Sequence, residues 1–271
     1  MHQSLDDIAD LAEEIGNRFI FRGKVNLEKI AKGEHICFIE SNYGNYFIGQ
    51  LVHYLKRFYI LLNTDLLTQC EFGRVRFTIA HELGHYFVDA HRTQLAKGVS
   101  LSFQGELSEA EYKYIEIAAN HFAANLLMPK NHFIKQARKL ETGLAGILIL
   151  KAKYCASVEC TIKHYVNLNL SASLLIRWKA DHTFHYSWCS ETFAEITFIK
   201  KHQIPIRFDT EYIRKQVEII DTTGSEYIES ATFLSRWIST IMQGTTKDIL
   251  GIEQTIRLGD FGGITLLTFQ L

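Results

Sequence analysis

Hydrophobic positions recur at helical spacing through residues 74–91, RVRFTIAHELGHYFVDAH. His81 and His85 are four residues apart, so they share a different face of the helix, with about 5–6 Å between their Cβ atoms. The apolar stripe consists of Val75, Ile79, Leu83, Tyr86 and Phe87. The pattern therefore predicts a core helix that carries two neighbouring histidines.

The first 135 residues are predicted to combine helices with short strands. Pro129 ends the last of these helices, and Ser108 with Glu111 forms a capping box before it. The strongest strand signal is RFYILLN, whose backbone, if it lies at a sheet edge, could pair with an extended peptide. Helices are expected at residues 4–16, 25–31, 74–91 and 112–128, and strands at 35–40, 45–52 and 57–63.

The remainder of the chain changes pattern twice. Residues 140–168 read as helix, Ser-containing turn and helix, which faintly resembles a helix-turn-helix. Seven Lys or Arg against two Glu make residues 130–164 locally basic. Strands are then expected at residues 173–178, 182–188, 195–199 and 264–269, and helices at 209–220 and 225–241.

Composition narrows the functional classes. In 271 residues, 47% are hydrophobic, 22% are charged and the net charge is -1, so no global field favours nucleic acid or an anionic membrane. The N-terminal stretch is an acidic amphipathic helix rather than a signal peptide, and no apolar run approaches the ~20 residues needed to cross a bilayer. Five scattered cysteines argue for free thiols in a reducing cytoplasm.

The pattern H-E-x-x-H, filled by His81, Glu82 and His85, carries the candidate chemistry. Two imidazoles at this spacing can each reach one zinc ion at ~2.0–2.1 Å. Glu82 lies beside the metal without binding it and can take a proton from zinc-bound water, whose pKa falls to about 7. Gly84 is a poor helix former, which indicates that another element packs close against this helix.

A third ligand is expected from the helix at 112–128. Glu116 is our choice, and Asn120, four residues later on the same face, would orient a ligand histidine through its free ring nitrogen. Two His and one carboxylate leave a fourth position for water. Glu109, Glu111 and His121 are competing ligands, since the choice among them requires geometry.

The pairing of RFTIAHELGHYF with E-x-x-x-N-x-F-A-A-N-L-L-M-P closely resembles the ImmA/IrrE family of metallopeptidases over roughly residues 5–135. The resemblance implies a gluzincin-like zinc site, with His81, His85 and Glu116 as ligands and Glu82 as base. Asn120 falls where the family shows Asn or Asp, whereas Ala118 stands where many members carry an acidic or amide residue. The resemblance also implies that the protein cleaves a helix-turn-helix repressor at a specific site.

We therefore expect an α+β protein with a zincin-like peptidase domain (residues 1–135), a helical segment (136–170) and a smaller α+β domain for sensing or substrate docking (171–271). The expected function is a cytoplasmic, zinc-dependent endopeptidase that cleaves a transcriptional repressor and so derepresses genes. The residue that would stabilise the oxyanion is not assigned by the sequence, and the candidates are His91, Tyr86 and His121.

Two other functions remain open. The basic segment is compatible with a DNA-binding or ligand-sensing regulator whose zinc site is structural or vestigial. The chain could also act within a two-protein module, in which the peptidase cleaves its companion.

Overall fold

The structure is a computed structural model that describes residues 3–68, 72–99, 101, 108–201, 203–238 and 248–269. The chain divides into two compact units, one of residues 1–133 and 151–157 and the other of residues 134–150 and 158–271. Helices and strands occur in both units, which confirms the α+β class. The functional division into three domains stays a prediction. Among the described helices, none combines the length and apolarity needed to cross a bilayer.

The first unit contains helices around a small sheet. Its elements are α1 (Leu5–Phe19), β1 (Ile20–Phe21), β2 (Lys24–Val25), α2 (Leu27–Gly33), β3 (Cys37–Ser41), β4 (Gly49–Tyr54), β5 (Arg57–Asn63), α3 (Thr64–Leu67), α4 (Phe72–Phe87), α5 (Asp89–Ala96) and α6 (Glu109–Leu127). The chain then continues through α7 (Lys130–Ala137) and α8 (Leu144–Tyr154), each of which has residues assigned to both units.

The three-stranded sheet has the order β3-β5-β4, with β3 parallel and β4 antiparallel to β5. The idea that residues 57–63 offer an exposed backbone edge is wrong, because β5 is the central strand. The edge strand that contacts α4 is β4. Gly49 permits this contact, since a Cβ there would lie 2.5 Å from the Thr78 Cγ2.

Buried Asn63 shapes the turn that leads into β4. Its side-chain amide donates to the carbonyls of Gly44 and Phe47 at 2.7 and 2.9 Å, and its oxygen accepts from the Tyr43 amide at 3.4 Å. These bonds satisfy backbone groups that the turn leaves outside the sheet.

Helix α6 packs against both α1 and α4. Its predicted capping box is confirmed, because the Ser108 hydroxyl accepts from the Glu111 amide and the Glu111 side chain accepts from the Ser108 amide. Gly84 of α4 meets α6 at short range, as predicted from its poor helix propensity: a Cβ there would lie 3.1 Å from the Ala119 carbonyl oxygen. Small residues on both helices thus set their separation.

The second unit is built on a five-stranded antiparallel sheet with the order β7-β6-β10-β9-β8. Residues such as Trp178, Phe193 and Leu267 form its apolar core. Its further elements are α9 (Val158–Asn167), β6 (Ala172–Trp178), β7 (Phe184–Cys189), α10 (Glu191–Thr197), α11 (Thr210–Thr223), β8 (Tyr227–Phe233), α12 (Leu234–Trp237), β9 (Leu250–Arg257), a 3₁₀ turn (Gly259–Phe261) and β10 (Gly263–Phe269).

A polar cluster joins α9 to this sheet. The Glu159 carboxylate accepts from the Tyr186 hydroxyl at 2.6 Å and pairs with Lys163 at 3.1 Å and Arg177 at 3.3 Å. Burial acts to raise the pKa of the Glu159 carboxyl, but the Tyr186 hydrogen bond and the two cations outweigh burial and hold the pKa below its usual value.

Several predicted elements are wrong in type or extent. Residues 195–199 are predicted as a strand, but residues 195–197 form the last turn of α10. The Ser190 side chain starts this helix by accepting from the Phe193 amide, and the left-handed Phe198 ends it. Residues 225–241 are predicted to be helical at least in part, and the short helix α12 does lie in this range. Before α12 the range forms strand β8, since Gly224 in the left-handed conformation ends α11 and β9 offers a partner strand.

The predicted helix at residues 74–91 is interrupted. Helix α4 ends at Phe87, and α5 starts at Asp89 after an extended Val88. Residues 239–241 of the predicted C-terminal helix lie outside the described part, as does Cys70. The four described cysteines, Cys37, Cys155, Cys160 and Cys189, are free thiols, as expected.

Candidate metal centre

Helices α4 and α6 bring three predicted side chains together. His81 and His85, one turn apart on α4, have their Nε2 atoms 3.0 Å apart. The Glu116 carboxylate from α6 lies 3.5 Å from the His81 Nε2 and 3.6 Å from the His85 Nε2. Among the described residues, these three side chains form the group whose ligand atoms could hold a metal ion.

The separations of these ligand atoms agree with the demands of a small tetrahedral cation. Zinc bonds of about 2.0–2.1 Å require ligand atoms about 3.3–3.4 Å apart. The two Nε2 atoms are 3.0 Å apart, and each has a different oxygen of Glu116 near it, Oε2 at 3.5 Å from His81 and Oε1 at 3.6 Å from His85, so these distances are close to that requirement. The nitrogen and oxygen donor set also fits zinc, and three protein ligands leave a fourth position for water or substrate.

The competing ligands are held elsewhere. Glu111 caps α6, and Glu109 pairs with Lys113 at 3.0 Å on the helix surface. His121 lies near the start of α1, where burial lowers the pKa of its imidazole against the opposing effects of Asp6 and the Leu5 backbone. Helix packing thus brings Glu116 next to the two imidazoles. The described group does not include Glu109, Glu111 or His121.

Asn120 contacts the first histidine as expected. Its Oδ1 lies 3.0 Å from the His81 Nδ1. Because a carbonyl oxygen only accepts, the His81 Nδ1 must carry the hydrogen, and the lone pair is left on Nε2, facing Glu116. In this tautomer the lone pair that a cation would bind is on the His81 Nε2.

Glu82 lies beside the triad and contacts the edge strand. The Glu82 carboxylate is 6% exposed, and its Oε2 accepts from the Leu51 amide of β4 at 2.7 Å. This bond orients the carboxylate and leaves its other oxygen to interact with a small molecule at the site. No local pattern predicts this contact, since Leu51 is 31 residues away from Glu82 in the chain.

Electrostatics favours the protonation states that ligands need. Burial and the neighbouring His85 lower the pKa of His81, so its imidazole stays neutral at pH 7. Burial acts to raise the pKa of Glu116, but the hydrogen bond with His85 and the nearby histidines lower the pKa overall. A neutral imidazole beside an ionised carboxylate is the form that binds divalent metals.

The proposed oxyanion donors differ in their surroundings. The Tyr86 hydroxyl donates to Glu34 at 3.1 Å, and His121 lies near α1. Tyr112, which is not among the predicted donors, lies one turn before Glu116, and burial together with the Glu116 charge raises the pKa of its hydroxyl. The role of His91 as oxyanion donor stays a prediction, but its ring is placed 3.3 Å, Nδ1 to Nδ1, from His85.

An H-E-x-x-H helix and a His-His-Glu group are the residue types that a hydrolytic metal site requires. Residues 51–163 match the peptidase family Peptidase_M78, described as the IrrE N-terminal-like domain. The matched range includes the H-E-x-x-H helix and α6, which confirms the resemblance that the two motifs predict.

The fold is similar to a solved structure described as a Mycobacterium tuberculosis transcriptional regulator, with a TM-score of 0.60. The alignment covers 98% of this chain and 88% of that one at 14% identity, so the likeness concerns the fold alone. No curated protein matches the sequence.

Proposed function

We propose that the protein is a zinc-dependent endopeptidase whose ligands are His81, His85 and Glu116. The observation that carries the proposal is the convergence of these side chains from two helices, with the buried carboxylate of Glu82 beside them. The match to a peptidase family over residues 51–163 supports the same reading.

Each side chain has a distinct role in this proposal. A bound zinc ion supplies Lewis acidity, which makes water a nucleophile near neutral pH and polarises the scissile carbonyl. Glu82 accepts the proton of the attacking water and passes it to the leaving amine. Its hydrogen bond from Leu51 keeps the carboxylate in place through both transfers.

The free edge of β4 is suited to an extended peptide. The Leu51 amide points away from β5, because it donates to Glu82. Residues two positions away in a strand present their backbone to the same side, so Gly49 and His53 also face the free edge. A peptide added along this edge would lie next to the triad and be held by main-chain hydrogen bonds.

We propose a helix-turn-helix repressor as the substrate. The proposal rests on the family resemblance, in which such repressors are cleaved at one site. The structural neighbour is itself described as a transcriptional regulator, which associates this fold with gene control. Cleavage of the repressor would switch on the genes that it silences, in the cytoplasm and with no membrane partner.

Substitution Glu82→Gln tests the catalytic proposal. The amide cannot accept the proton of water, so we expect zinc to be retained while cleavage of a candidate repressor is abolished. The measurements are metal content of the purified protein and fragment mass after incubation. Glu109→Gln, on the exposed side of α6, is the control and should leave both unchanged. Full cleavage by the Glu82 variant would refute the assignment.

The alternative of a DNA-binding regulator gains little from the surroundings of α9. This helix packs against β6 and β7, and its Thr161, Ile162 and Tyr165 side chains are buried. Its Lys163 pairs with Glu159 at 3.1 Å. A recognition helix needs an exposed face to enter a groove, so we retain the peptidase as the proposed function.

A further inference from the structure

We propose that His91 is a positioning residue for His85: it accepts the Nδ1 hydrogen of His85 and so turns the His85 Nε2 lone pair toward the cation. The inference rests on the proposed metal site and adds a side chain to it. The observation behind it is a contact of 3.3 Å between the two Nδ1 atoms.

The break between α4 and α5 makes this contact. On one continuous helix, side chains six residues apart would point in different directions, because 3.6 residues complete a turn. The extended backbone of Val88 (φ -76°, ψ 108°) ends that periodicity and starts α5 in a new direction. The rings of His85 and His91 consequently lie with their centroids 5.3 Å apart, and His91 is only 2% exposed.

The hydrogen-bonding capacity of imidazole decides the roles. Between two Nδ1 atoms at hydrogen-bond distance, one must donate and the other accept. When a cation is bound, the His85 Nε2 must offer it a lone pair instead of a hydrogen bond to Glu116, so the remaining ring hydrogen of His85 is on Nδ1. His91 is then the acceptor, and it does for His85 what Asn120 does for His81.

The spacing of the histidines admits a rival role. His81, His85 and His91 fall at the three histidine positions of the pattern H-E-x-x-H-x-x-G-x-x-H, in which the third histidine is itself a zinc ligand. Val88 replaces the glycine of that pattern. The His91 ring lies against the Nδ1 side of His85, whereas the Nε2 atoms of His81 and His85 face Glu116.

Two substitutions separate positioning from ligation and packing. His91→Asn places an amide oxygen near the position of the imidazole Nδ1 and keeps the acceptor, whereas His91→Leu removes it and keeps an apolar side chain. His132→Leu is the control, because it removes another histidine of the first unit that is hydrogen-bonded, to Tyr154 at 2.8 Å. Zinc affinity is measured by competition with a chelator, and folding by circular dichroism of the metal-free proteins.

We expect His91→Leu to bind zinc about 10–100-fold more weakly than the wild type, and His91→Asn and the control to bind zinc with near wild-type affinity. Equal affinity in the Leu variant would overturn the inference. An equal loss in the Leu and Asn variants would overturn it too, in favour of a ligand or packing role.

Nitrogen-15 NMR of the zinc-loaded wild type gives a test that needs no variant. His85 should carry its hydrogen on Nδ1, and a His85 without that hydrogen contradicts the inference even where a variant fails to fold. A wild type that binds zinc but cleaves nothing would remove only the proposed function. A wild type that binds no zinc would remove both.

Discussion

The contact between α4 and α6 predicts an unusual effect for Gly84→Ala. In an isolated helix this change is favourable, because alanine is a better helix former by about 1 kcal/mol. Here the added Cβ would lie 3.1 Å from the Ala119 carbonyl oxygen and 3.2 Å from the Phe122 Cβ. Ordinary contacts between such atoms are about 3.5–4.0 Å, so α6 must move away by a few tenths of an ångström.

The two effects oppose each other, and overpacking should prevail. Extra methyl groups in a packed core cost about 1–3 kcal/mol, against the gain of about 1 kcal/mol from helix propensity. We expect a net loss of up to about 2 kcal/mol in the free energy of unfolding. Zinc affinity should fall as well, because Glu116 moves with α6 while both histidines stay on α4.

Denaturant unfolding of the metal-free protein and chelator competition for zinc measure these two effects. Gly33→Ala is the matched control: Gly33 is also helical, but a Cβ there meets no atom within 4 Å. The control should be unchanged or slightly more stable, with unaltered zinc affinity. A Gly84→Ala protein that is as stable as the wild type and binds zinc equally well would refute this account of the helix contact.

Three further predictions concern single side chains. Asn120→Ala removes the acceptor that sets the His81 tautomer, and zinc affinity should fall about 10–100-fold, whereas Asn120→Asp should retain most of it in the same chelator assay. Asn63→Ala leaves buried carbonyls of the turn before β4 without a donor, so the free energy of unfolding should fall by about 1–3 kcal/mol. Denaturant unfolding measures this fall, and an unchanged free energy would show that other bonds hold the turn. The pKa of Glu159 is lowered in the folded state, so its stabilisation is present above the unfolded pKa of 4.5 and is lost as pH falls. In thermal unfolding, the Glu159→Gln variant should therefore lose less stability than the wild type as the pH falls below that value. An unaltered dependence of stability on pH would exclude Glu159 as a source of the loss.

Local patterns explain why the helices of the site were predictable. The four-residue spacing of His81 and His85, and of Glu116 and Asn120, places each pair on one helix face whatever the rest of the chain does. The capping box at Ser108 likewise acts within one turn. By contrast, β9 was missed and β8 was predicted as helix, because strands gain stability from partners that are distant in sequence.

The sequence by itself determined the α+β class, the H-E-x-x-H helix and the capped helix that follows it, since these depend on residue spacing within a few turns. Only the tertiary structure decided that Glu116, rather than Glu109, Glu111 or His121, faces the imidazoles, and that β4 rather than β5 is the edge strand. It also decided that Leu51 and His91 contact Glu82 and His85. The physical reason is that helix packing, strand order and the break at Val88 fix distances between side chains of different elements, and the spacing within one element leaves those distances free.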